Sequence, residues 1–521
     1  MEWTVETPVQ TPTEVIRYHS AGHCVVLADL DAALDLCRSL PVARWTLCWV
    51  VPGQAPEKLL GDDGECVLRA DAVELLGHLG SYTLALSGGG QSRDGAEMAG
   101  ETRGAFDTVL DVRAAPALMH PTLPFGYFAP RTQAERDAAV AALSALEGDF
   151  EKPRYFRYDA SVCAHSASRQ IGCTRCLDAC DTGAIVSVMD AIEIDPYLCQ
   201  GCGQCATVCP TGAVRYAWPA PAVSAAELRT ALLAREDRPT VVVYPRESTE
   251  QVATAMGHRL AELSAACLPV AVEEVASIGP DIWWSALAWG ASRVVLVIDL
   301  EAGNGGQAVA REIETAAAML EALGVSEQAI AAVETDTLLD CVSTGVSPPT
   351  WHRGRFGATD DKRTLIRLAV EHLHASLACA VDAVGLPPHA SFGRVEASDA
   401  CTLCMSCVSV CPANALLDGS GVPALRFIEQ QCVQCGLCES ACPENAISRE
   451  QRFVFDGSAA RETRELRAEE PFLCVECAKP FAVKSVIEKM QSKLAGHWMF
   501  QDDAARRRLL MCEDCRVKDQ F

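Results

Sequence analysis

Short apolar runs alternate with amphipathic stretches through the first 150 residues, which is the pattern of strands alternating with helices. The predicted strands are 25–28, 45–51, 82–86 and 108–112, and the predicted helices are 31–40 and 134–146. Residues 1–150 therefore predict an α/β domain without a metal. The glycine-rich segment 88–95 has neither a GxGxxG fingerprint nor a phosphate-loop lysine, so we expect a flexible turn there and not a phosphate site.

A second alternation of the same kind covers residues 223–345. Its predicted strands are 240–244, 269–275 and 294–300, and its predicted helices are 251–263, 280–290 and 308–322. Strands alternating with helices imply a mainly parallel, doubly wound sheet. The tryptophans of this segment are expected in the core or at a domain contact, and not around a cofactor. They are Trp283, Trp284 and Trp289.

One glycine-rich stretch of this second unit, 301–306, follows a predicted strand and precedes a predicted helix. That is the position at which doubly wound folds bind ligands. A single turn without the dinucleotide fingerprint is weak support, so an ordinary turn is the expectation. Nucleotide or flavin binding there is the alternative.

The apolar periodicity gives way to cysteines at fixed spacing in two regions. The string Cys-x2-Cys-x2-Cys-x3-Cys-Pro begins at Cys199, Cys401 and Cys432, and a damaged fourth copy runs from Cys173 to Cys180. Three closely spaced thiolates hold three irons of a [4Fe–4S] cubane, and the fourth cysteine ligates the partner cluster. Zinc knuckles, the alternative, lack the third cysteine and the Cys-Pro step. After each fourth cysteine, a Gly or Asn, an Ala and a branched apolar residue predict a left-handed turn and a short covering strand.

Crossing the fourth cysteines between paired motifs predicts four ligand sets, each named here after its first member. They are the Cys163 set (Cys163, Cys173, Cys176, Cys209), the Cys199 set (Cys199, Cys202, Cys205, Cys180), the Cys401 set (Cys401, Cys404, Cys407, Cys442) and the Cys432 set (Cys432, Cys435, Cys438, Cys411). Gln170 stands where the damaged copy should have its leading cysteine. Cys163 is the predicted replacement, and a three-iron cluster or ligation by His165 are the alternatives. For His165 itself, a solvated loop histidine is the simpler expectation.

The charged C-terminal segment carries two further cysteine pairs, Cys474-x2-Cys477 and Cys512-x2-Cys515. Two such pairs supply the four thiolates of a tetrahedral zinc site. The 34 residues between the pairs exceed the usual ribbon spacing, and a predicted helix at 482–494 accounts for the insertion. A zinc-ribbon-like tail is predicted, with a rubredoxin-like iron or free thiols as alternatives.

The cysteine count leaves few thiols without a predicted role. Of 27 cysteines, sixteen belong to the four sets and four to the tail. The other seven are expected to be small buried hydrophobic residues, at positions 24, 37, 48, 66, 267, 341 and 379.

Cysteine spacing and hydropathy also indicate where the protein is found. Clustered Cys-x2-Cys spacing without an apolar leader indicates a reducing compartment, and the apolar stretches are too short to span a membrane. We therefore expect a cytoplasmic protein. The net charge of −25 disfavours nucleic acid and anionic membranes as partners.

The predicted fold class is α/β plus α+β, with α/β domains interspersed with two dicluster ferredoxin-like modules. The predicted parts are an α/β domain at 1–150, a first dicluster module at 151–222, a doubly wound domain at 223–345, a linker and helix at 346–395, a second dicluster module at 396–450 and the four-cysteine tail at 451–521. A helix at 360–384, here named the clasp helix, is expected to hold two domains together. The aromatic and basic strip 151–158 is expected to border the first cluster pair.

The two cluster segments, 163–214 and 396–448, resemble dicluster ferredoxins. With the string Met511-Cys-Glu-Asp-Cys-Arg-Val517, they resemble bacterial multi-cluster 4Fe–4S ferredoxin-type proteins over the whole length. The resemblance implies an association with formate dehydrogenase or related molybdenum enzymes. Residues 240–300 also resemble the delta-subunit module of heterodisulfide-reductase-linked hydrogenases, but the iron–sulfur ligands expected of that module are absent.

The sequence predicts electron transfer and no catalytic residues, because no pattern offers a nucleophile–base pair or an open metal position. The expected function is a relay of single electrons through four [4Fe–4S] clusters between a dehydrogenase and an acceptor. One alternative is an oxidoreductase subunit with its own flavin or substrate site in an α/β domain. The other is an accessory or assembly factor for a molybdenum enzyme.

Overall fold

The computed structural model of the chain describes residues 11–29, 33–42, 44–60, 66–256, 266–299, 303–344, 351–359 and 361–519. Two α/β units alternate along the chain with two small modules that carry the cysteine motifs, and a short tail follows. Among the described residues, no helix is both long enough and apolar enough to cross a membrane.

The first unit is built on a six-stranded sheet that is parallel except at one edge. In order across the sheet, its strands are Tyr127–Phe128, Thr108–Asp111, His23–Ala28, Arg44–Val50, Cys66–Ala70 and Glu57–Leu60. Glu57–Leu60 runs antiparallel to its neighbour. Every residue of His23–Ala28 is buried, because both faces of the sheet are covered. The predicted strands 25–28, 45–51 and 108–112 are confirmed within two residues at each end.

Helices cover one face of this sheet, and a small antiparallel sheet covers the other. The covering elements are the helices Ala33–Ser39 and Gln133–Leu143 and the strands Ala72–Leu76, Thr83–Gly88 and Gln91–Asp94. The predicted strand 82–86 therefore exists, but it belongs to the second sheet. The flexible turn predicted at 88–95 is wrong in extent, since only Gly89 and Gly90, at φ +55° and +78°, form the tight turn of a hairpin.

The second unit contains a four-stranded parallel sheet with helices on both faces, as predicted. Its strands are, in order, Cys267–Val272, Thr240–Pro245, Arg293–Val297 and Ile330–Val333, and its helices are Pro221–Ala234, Thr249–Met256, Pro280–Trp289, Gly303–Ala322 and Leu338–Ser343. The predicted strand 269–275 is too long, because residues 275–277 form a short 3-10 turn. The end of the predicted helix 251–263 lies outside the described residues.

The helix Pro280–Trp289 is buried at all but one position, and its three tryptophans are at most 2% exposed. They lie in the main core of the second unit. The prediction that Trp283, Trp284 and Trp289 are core residues is therefore confirmed. Burial of three such side chains in one helix fixes it against the sheet.

The glycine-rich stretch 301–306 is not the turn that the sequence predicted. Residues 303–306 form the first turn of the helix Gly303–Ala322, and residues 301–302 lie outside the described residues. The expectation failed because glycine lowers helix propensity by about 1 kcal/mol, which the long amphipathic stretch that follows overrides.

The clasp helix extends over Lys362–Leu377 and packs against the helix Pro280–Trp289. Its first turn reaches both cysteine modules. Lys362 Nζ donates a hydrogen bond to the carbonyl of Ala206 at 2.8 Å, and Arg363 Nε donates one to the carbonyl of Gln430 at 2.9 Å. The sequence predicted that this helix holds two domains together. The helix in fact contacts three: the second unit and both modules.

The two cysteine modules are small two- and three-stranded sheets around short helices. The strands that follow the four motifs are Ile185–Val188, Val214–Tyr216, Leu416–Asp418 and Ile447–Val454. Each is preceded by a left-handed residue, namely Gly183, Gly212, Asn414 and Asn445. Both features confirm the turn and covering strand that the sequence predicts after each fourth cysteine. The basic strip borders the first module as expected, because Phe156–Tyr158 pairs with Val214–Tyr216.

The tail forms a hairpin and three helices. These elements are the strands Pro471–Leu473 and Pro480–Val483 and the helices Lys484–Leu494, Asp503–Arg508 and Glu513–Lys518. The helix predicted at 482–494 is confirmed, with its start moved to residue 484. The strand Thr463–Ala468, which the sequence assigns to the tail, pairs instead with Ala424–Ile428 of the second module.

Candidate iron–sulfur and metal centres

The loops of the three complete motifs share one backbone feature. The residues before and after the second cysteine are all left-handed, with φ between 53° and 91°; they are Gly201, Gly203, Leu403, Met405, Gln434 and Gly436. This conformation is costly for residues that carry a Cβ. The left-handed conformation at Leu403, Met405 and Gln434 is typical of a loop that wraps around a group bound by its thiols. The damaged copy lacks the feature after Cys173, where Thr174 has φ −114°.

The four thiols of the Cys163 set lie close together. Burial raises the pKa of Cys176, and the neighbouring thiols of Cys209, Cys173 and Cys163 raise it further. Cys163 ends the short 3-10 helix Ala160–Val162 and is half-buried. Cys163, from outside the damaged motif, therefore lies near the other thiols of its predicted set.

His165, the alternative ligand, has both ring nitrogens engaged elsewhere. Nδ1 lies 2.9 Å from the carbonyl oxygen of Cys173, and Nε2 lies 2.8 Å from Ser187 Oγ. The side chain is buried, so the expectation of a solvated loop histidine is wrong. Its hydrogen bonds hold the loop that carries Cys173.

Thiols of the other three predicted sets are also neighbours of one another. Burial raises the pKa of Cys205, and the thiols of Cys202, Cys199, Cys176 and Cys180 contribute, so the list includes one thiol of the Cys163 set. Burial likewise raises the pKa of Cys407 to about 12, together with the thiols of Cys401, Cys404 and Cys442. For Cys438 the same causes are burial and the thiols of Cys432, Cys435 and Cys411. Each predicted set thus has the cysteine from its partner motif among the neighbouring thiols.

Backbone N–H groups point at the sulfurs of two of these fourth cysteines. Val214 N–H donates to Cys209 Sγ at 3.4 Å, and Ala446 N–H donates to Cys442 Sγ at 3.2 Å. Hydrogen bonds to ligand sulfurs favour the thiolate and tune cluster potentials. The donor chemistry and the loop shape therefore fit [4Fe–4S] clusters.

Three polar side chains lie near the sets: Lys152 belongs to the strip expected to border the first cluster pair, whereas Arg363 and Gln434 were not predicted. Arg363 is half-buried over the ring of Phe392 and donates to the carbonyl of Cys432. Gln434 Nε2 donates to Cys432 Sγ at 3.4 Å. Lys152 Nζ donates to the carbonyl of Cys199 at 2.7 Å. Arg363 and Lys152 come from segments remote in sequence, so motif spacing holds no signal for them.

The tail cysteines form a much smaller group. The Sγ atoms of Cys474, Cys477, Cys512 and Cys515 all lie within 4.8 Å of one another. The Cys477 and Cys512 sulfurs are 3.7 Å apart, close to the roughly 3.8 Å edge of a tetrahedron with zinc–sulfur bonds of about 2.3 Å. No other group of three or more His, Cys, Asp or Glu in the described ranges is this compact. The tail therefore fits one ion, whereas the four sets are too wide for one.

The surroundings of Cys474 favour its thiolate. Burial acts to raise its pKa, but the backbone N–H groups of Cys512, Cys477 and Glu476 outweigh burial and lower the pKa to about 6. The N–H of Cys512 lies 3.3 Å from Cys474 Sγ. A thiolate is the form that binds a metal, so the loop is prepared for ligation.

Comparison with known families places the iron–sulfur chemistry on both modules. One model of a 4Fe-4S dicluster domain matches residues 170–213, and another model of a 4Fe-4S dicluster domain matches residues 400–447. The chain is thus similar in these two regions to dicluster ferredoxin domains and is a multi-cluster iron–sulfur protein. This similarity supports [4Fe–4S] clusters, an electron-transfer role and a redox partner in general. No curated protein matches the chain.

Proposed function

We propose that this protein is a non-catalytic electron carrier that relays single electrons through four [4Fe–4S] clusters between a dehydrogenase and an acceptor. What supports the proposal is that each of the four predicted sets has its fourth cysteine, from the partner motif, among the neighbouring thiols. Crossed ligation is the arrangement of two-cluster ferredoxins. Two such modules give room for four clusters.

The dehydrogenase in this proposal is a formate-dehydrogenase-type molybdenum or tungsten enzyme. The support for this partner is the resemblance of the cluster and tail strings to ferredoxin-type proteins of formate dehydrogenase systems. The alternative, an oxidoreductase subunit with its own flavin or substrate site, rests on the weak signal of the stretch 301–306, where an ordinary turn was the expectation. Residues 303–306 begin the helix Gly303–Ala322.

The tail, in this proposal, binds one structural zinc through Cys474, Cys477, Cys512 and Cys515. Four thiolates leave no open position for a substrate. The small core around Cys474, Met511 and Cys512 indicates that the metal contributes much of the folding free energy of the tail.

Mixing the anaerobic protein with the purified formate dehydrogenase and formate tests the proposed function. Reduction of the clusters bleaches their visible absorbance, and we expect bleaching only when both formate and the dehydrogenase are present. A protein that lacks one cluster in each module, through Cys176→Ser and Cys438→Ser, serves as the matched control and should show a smaller absorbance change. Absence of bleaching at low salt, with clusters that dithionite still reduces, would remove the formate link and leave the carrier role standing.

A further inference from the structure

The two cysteine modules touch each other directly. The strand Gln170–Ile171 lies against the helix Leu437–Ser440, and Gly172 forms the closest part of the contact. A Cβ atom added to Gly172 would lie 2.7 Å from Leu437 Cγ and 3.2 Å from the carbonyl oxygen of Cys435. Leu437 is fully buried, so a side chain at residue 172 would have to displace a core residue. The backbone at residue 172 and the loop of the Cys432 set are therefore in van der Waals contact.

Ligand cysteines of the two modules lie on either side of this contact. Cys173 directly follows Gly172, and Cys435 is the residue whose carbonyl oxygen lies 3.2 Å from the position of a Cβ at Gly172. Cys173 belongs to the Cys163 set, and Cys435 belongs to the Cys432 set. These two sets are consequently the inner pair of the molecule.

Within each module the remaining set is adjacent to the inner one. In the first module, the short helices Arg175–Asp178 and Gln204–Val208, which carry Cys176 and Cys205, are in contact. In the second module, the short helices Ser406–Ser409 and Leu437–Ser440, which carry Cys407 and Cys438, are in contact. These contacts place one set of each module next to the inner set of that module.

The clasp helix fixes the two modules against one another. Lys362 and Arg363 are consecutive, yet the first binds carbonyl groups of the first module and the second binds carbonyl groups of the second. Arg363 is also close enough to Arg175 of the first module for their charges to interact. The contact at Gly172 is thus held by a rigid third element.

We infer that the clusters form one continuous relay in the order Cys199 set, Cys163 set, Cys432 set, Cys401 set, with the step between modules passing across Gly172 and Cys435. This inference rests on the proposed function. Each step moves one electron, so the donor cluster is oxidised by one unit, the acceptor cluster is reduced by one unit, and no bond is made or broken. Among the sixteen ligand cysteines, all of which lie in described ranges, Cys404 is the exposed one. The relay therefore opens to solvent at the Cys401 set.

Two variants of the full chain, each with one cluster left per module, test the order. The inner-pair variant carries Cys202→Ser, Cys205→Ser, Cys404→Ser and Cys407→Ser. The outer-pair variant carries Cys173→Ser, Cys176→Ser, Cys435→Ser and Cys438→Ser. Iron analysis confirms that each holds two clusters, and electron paramagnetic resonance of the dithionite-reduced proteins then measures the magnetic interaction between them.

We expect a split, fast-relaxing signal from the inner pair and two simple, slowly relaxing signals from the outer pair. Two intact but magnetically isolated clusters in the inner-pair variant would overturn the order while leaving the proposed carrier function in place. Absence of clusters from the unsubstituted protein would instead overturn the proposed function itself.

A milder variant covers the case in which the serine variants lose their remaining clusters. Gly172→Val forces the modules apart and leaves all ligands in place, whereas Gly385→Val adds the same side chain at a strand position with no atom within 4 Å of its Cβ. We expect the fully reduced Gly172→Val protein to lose part of its magnetic coupling with unchanged iron content, and Gly385→Val to match the unsubstituted protein. Identical spectra from both variants would overturn the inference.

Discussion

Single residues decide how each cluster is held, and Cys163 is the least obvious of them. It lies outside its motif, yet its thiol is a neighbour of Cys176. Its competitor His165 has both ring nitrogens occupied by Cys173 and Ser187. The arrangement of side chains therefore supports the proposal that this upstream thiol completes the damaged motif.

Cys163→Ala should convert one cubane to a three-iron form and leave the other three clusters intact, since one iron loses its thiolate. The iron content should fall from about sixteen to about fifteen per chain, with a three-iron signal in the oxidised protein by electron paramagnetic resonance. His165→Ala is the matched control. An unchanged Cys163→Ala protein, together with cluster loss in His165→Ala, would transfer the ligand role to the histidine.

Arg363 is the residue most capable of tuning a single cluster. It is half-buried beside the Cys432 set, and a nearby positive charge stabilises the reduced, more negative cluster. Arg363→Met should therefore lower the potential of one cluster by at least roughly 60 mV, a tenfold change in a one-electron equilibrium. Arg363→Lys should retain most of the potential.

Redox titration monitored by electron paramagnetic resonance measures this shift. The control is Arg93→Met, which removes an exposed arginine from a strand of the first unit. Equal shifts in Arg363→Met and Arg93→Met would mean that overall charge, and not the local arginine, sets the potential.

At the scale of elements, local chemistry predicted more than long-range packing did. The turn and covering strand after each fourth cysteine could be predicted, because a Gly or Asn supplies the left-handed residue there. These residues are Gly183, Gly212, Asn414 and Asn445. The helix Pro280–Trp289 could be predicted from its apolar composition. The hairpin at 88–95 and the helix start at residue 303 were misjudged, because glycine signals a break whether or not packing overrides it.

In the candidate site, too, local sequence features could be predicted and long-range contacts could not. Nineteen of the twenty cysteines proposed as metal ligands could be picked out from motif spacing, and Cys163 from its place upstream of the damaged copy. The contact between modules at Gly172 and the approach of Arg363 could not, because they join segments more than 60 residues apart in sequence. Such contacts depend on how whole units pack against each other, and the periodicity of the sequence contains no information about that packing.

The tail is the element whose stability depends most on its metal. We expect about one zinc per chain, lost on Cys477→Ser or Cys512→Ser with melting of the tail helices, while the visible cluster absorbance survives. Elemental analysis and circular dichroism measure the two effects. Cys379→Ser, at a half-buried thiol outside every set, should retain the zinc. A single tail iron in place of zinc, or a folded tail without metal, would contradict the assignment.

At the scale of the whole molecule, net charge governs how fast a partner protein associates and docks. The chain has a net charge of −25, and a relay open at Cys404 requires a partner that docks against this acidic protein. Complementary charge raises association rates by 10-fold to 1000-fold at low ionic strength, and salt screens it within about 8 Å at 0.15 M. The partner should accordingly present a basic patch.

The second-order rate of cluster reduction by the partner enzyme should therefore fall by at least about tenfold between 0.01 and 0.15 M salt. Stopped-flow absorbance at several salt concentrations measures this rate. Reduction by dithionite, which needs no docking surface, is the control and should change far less. A salt-independent rate with the partner would indicate an apolar docking surface.

The central claim is that one chain holds four cubane clusters, and the most direct measurement is their count in anaerobically prepared protein. Iron and sulfide analysis should give about sixteen of each per chain, apart from the tail metal, and full reduction should give about four unpaired electrons by integrated electron paramagnetic resonance. About eight irons in fully loaded protein, with one module empty of clusters, would contradict the four-cluster relay.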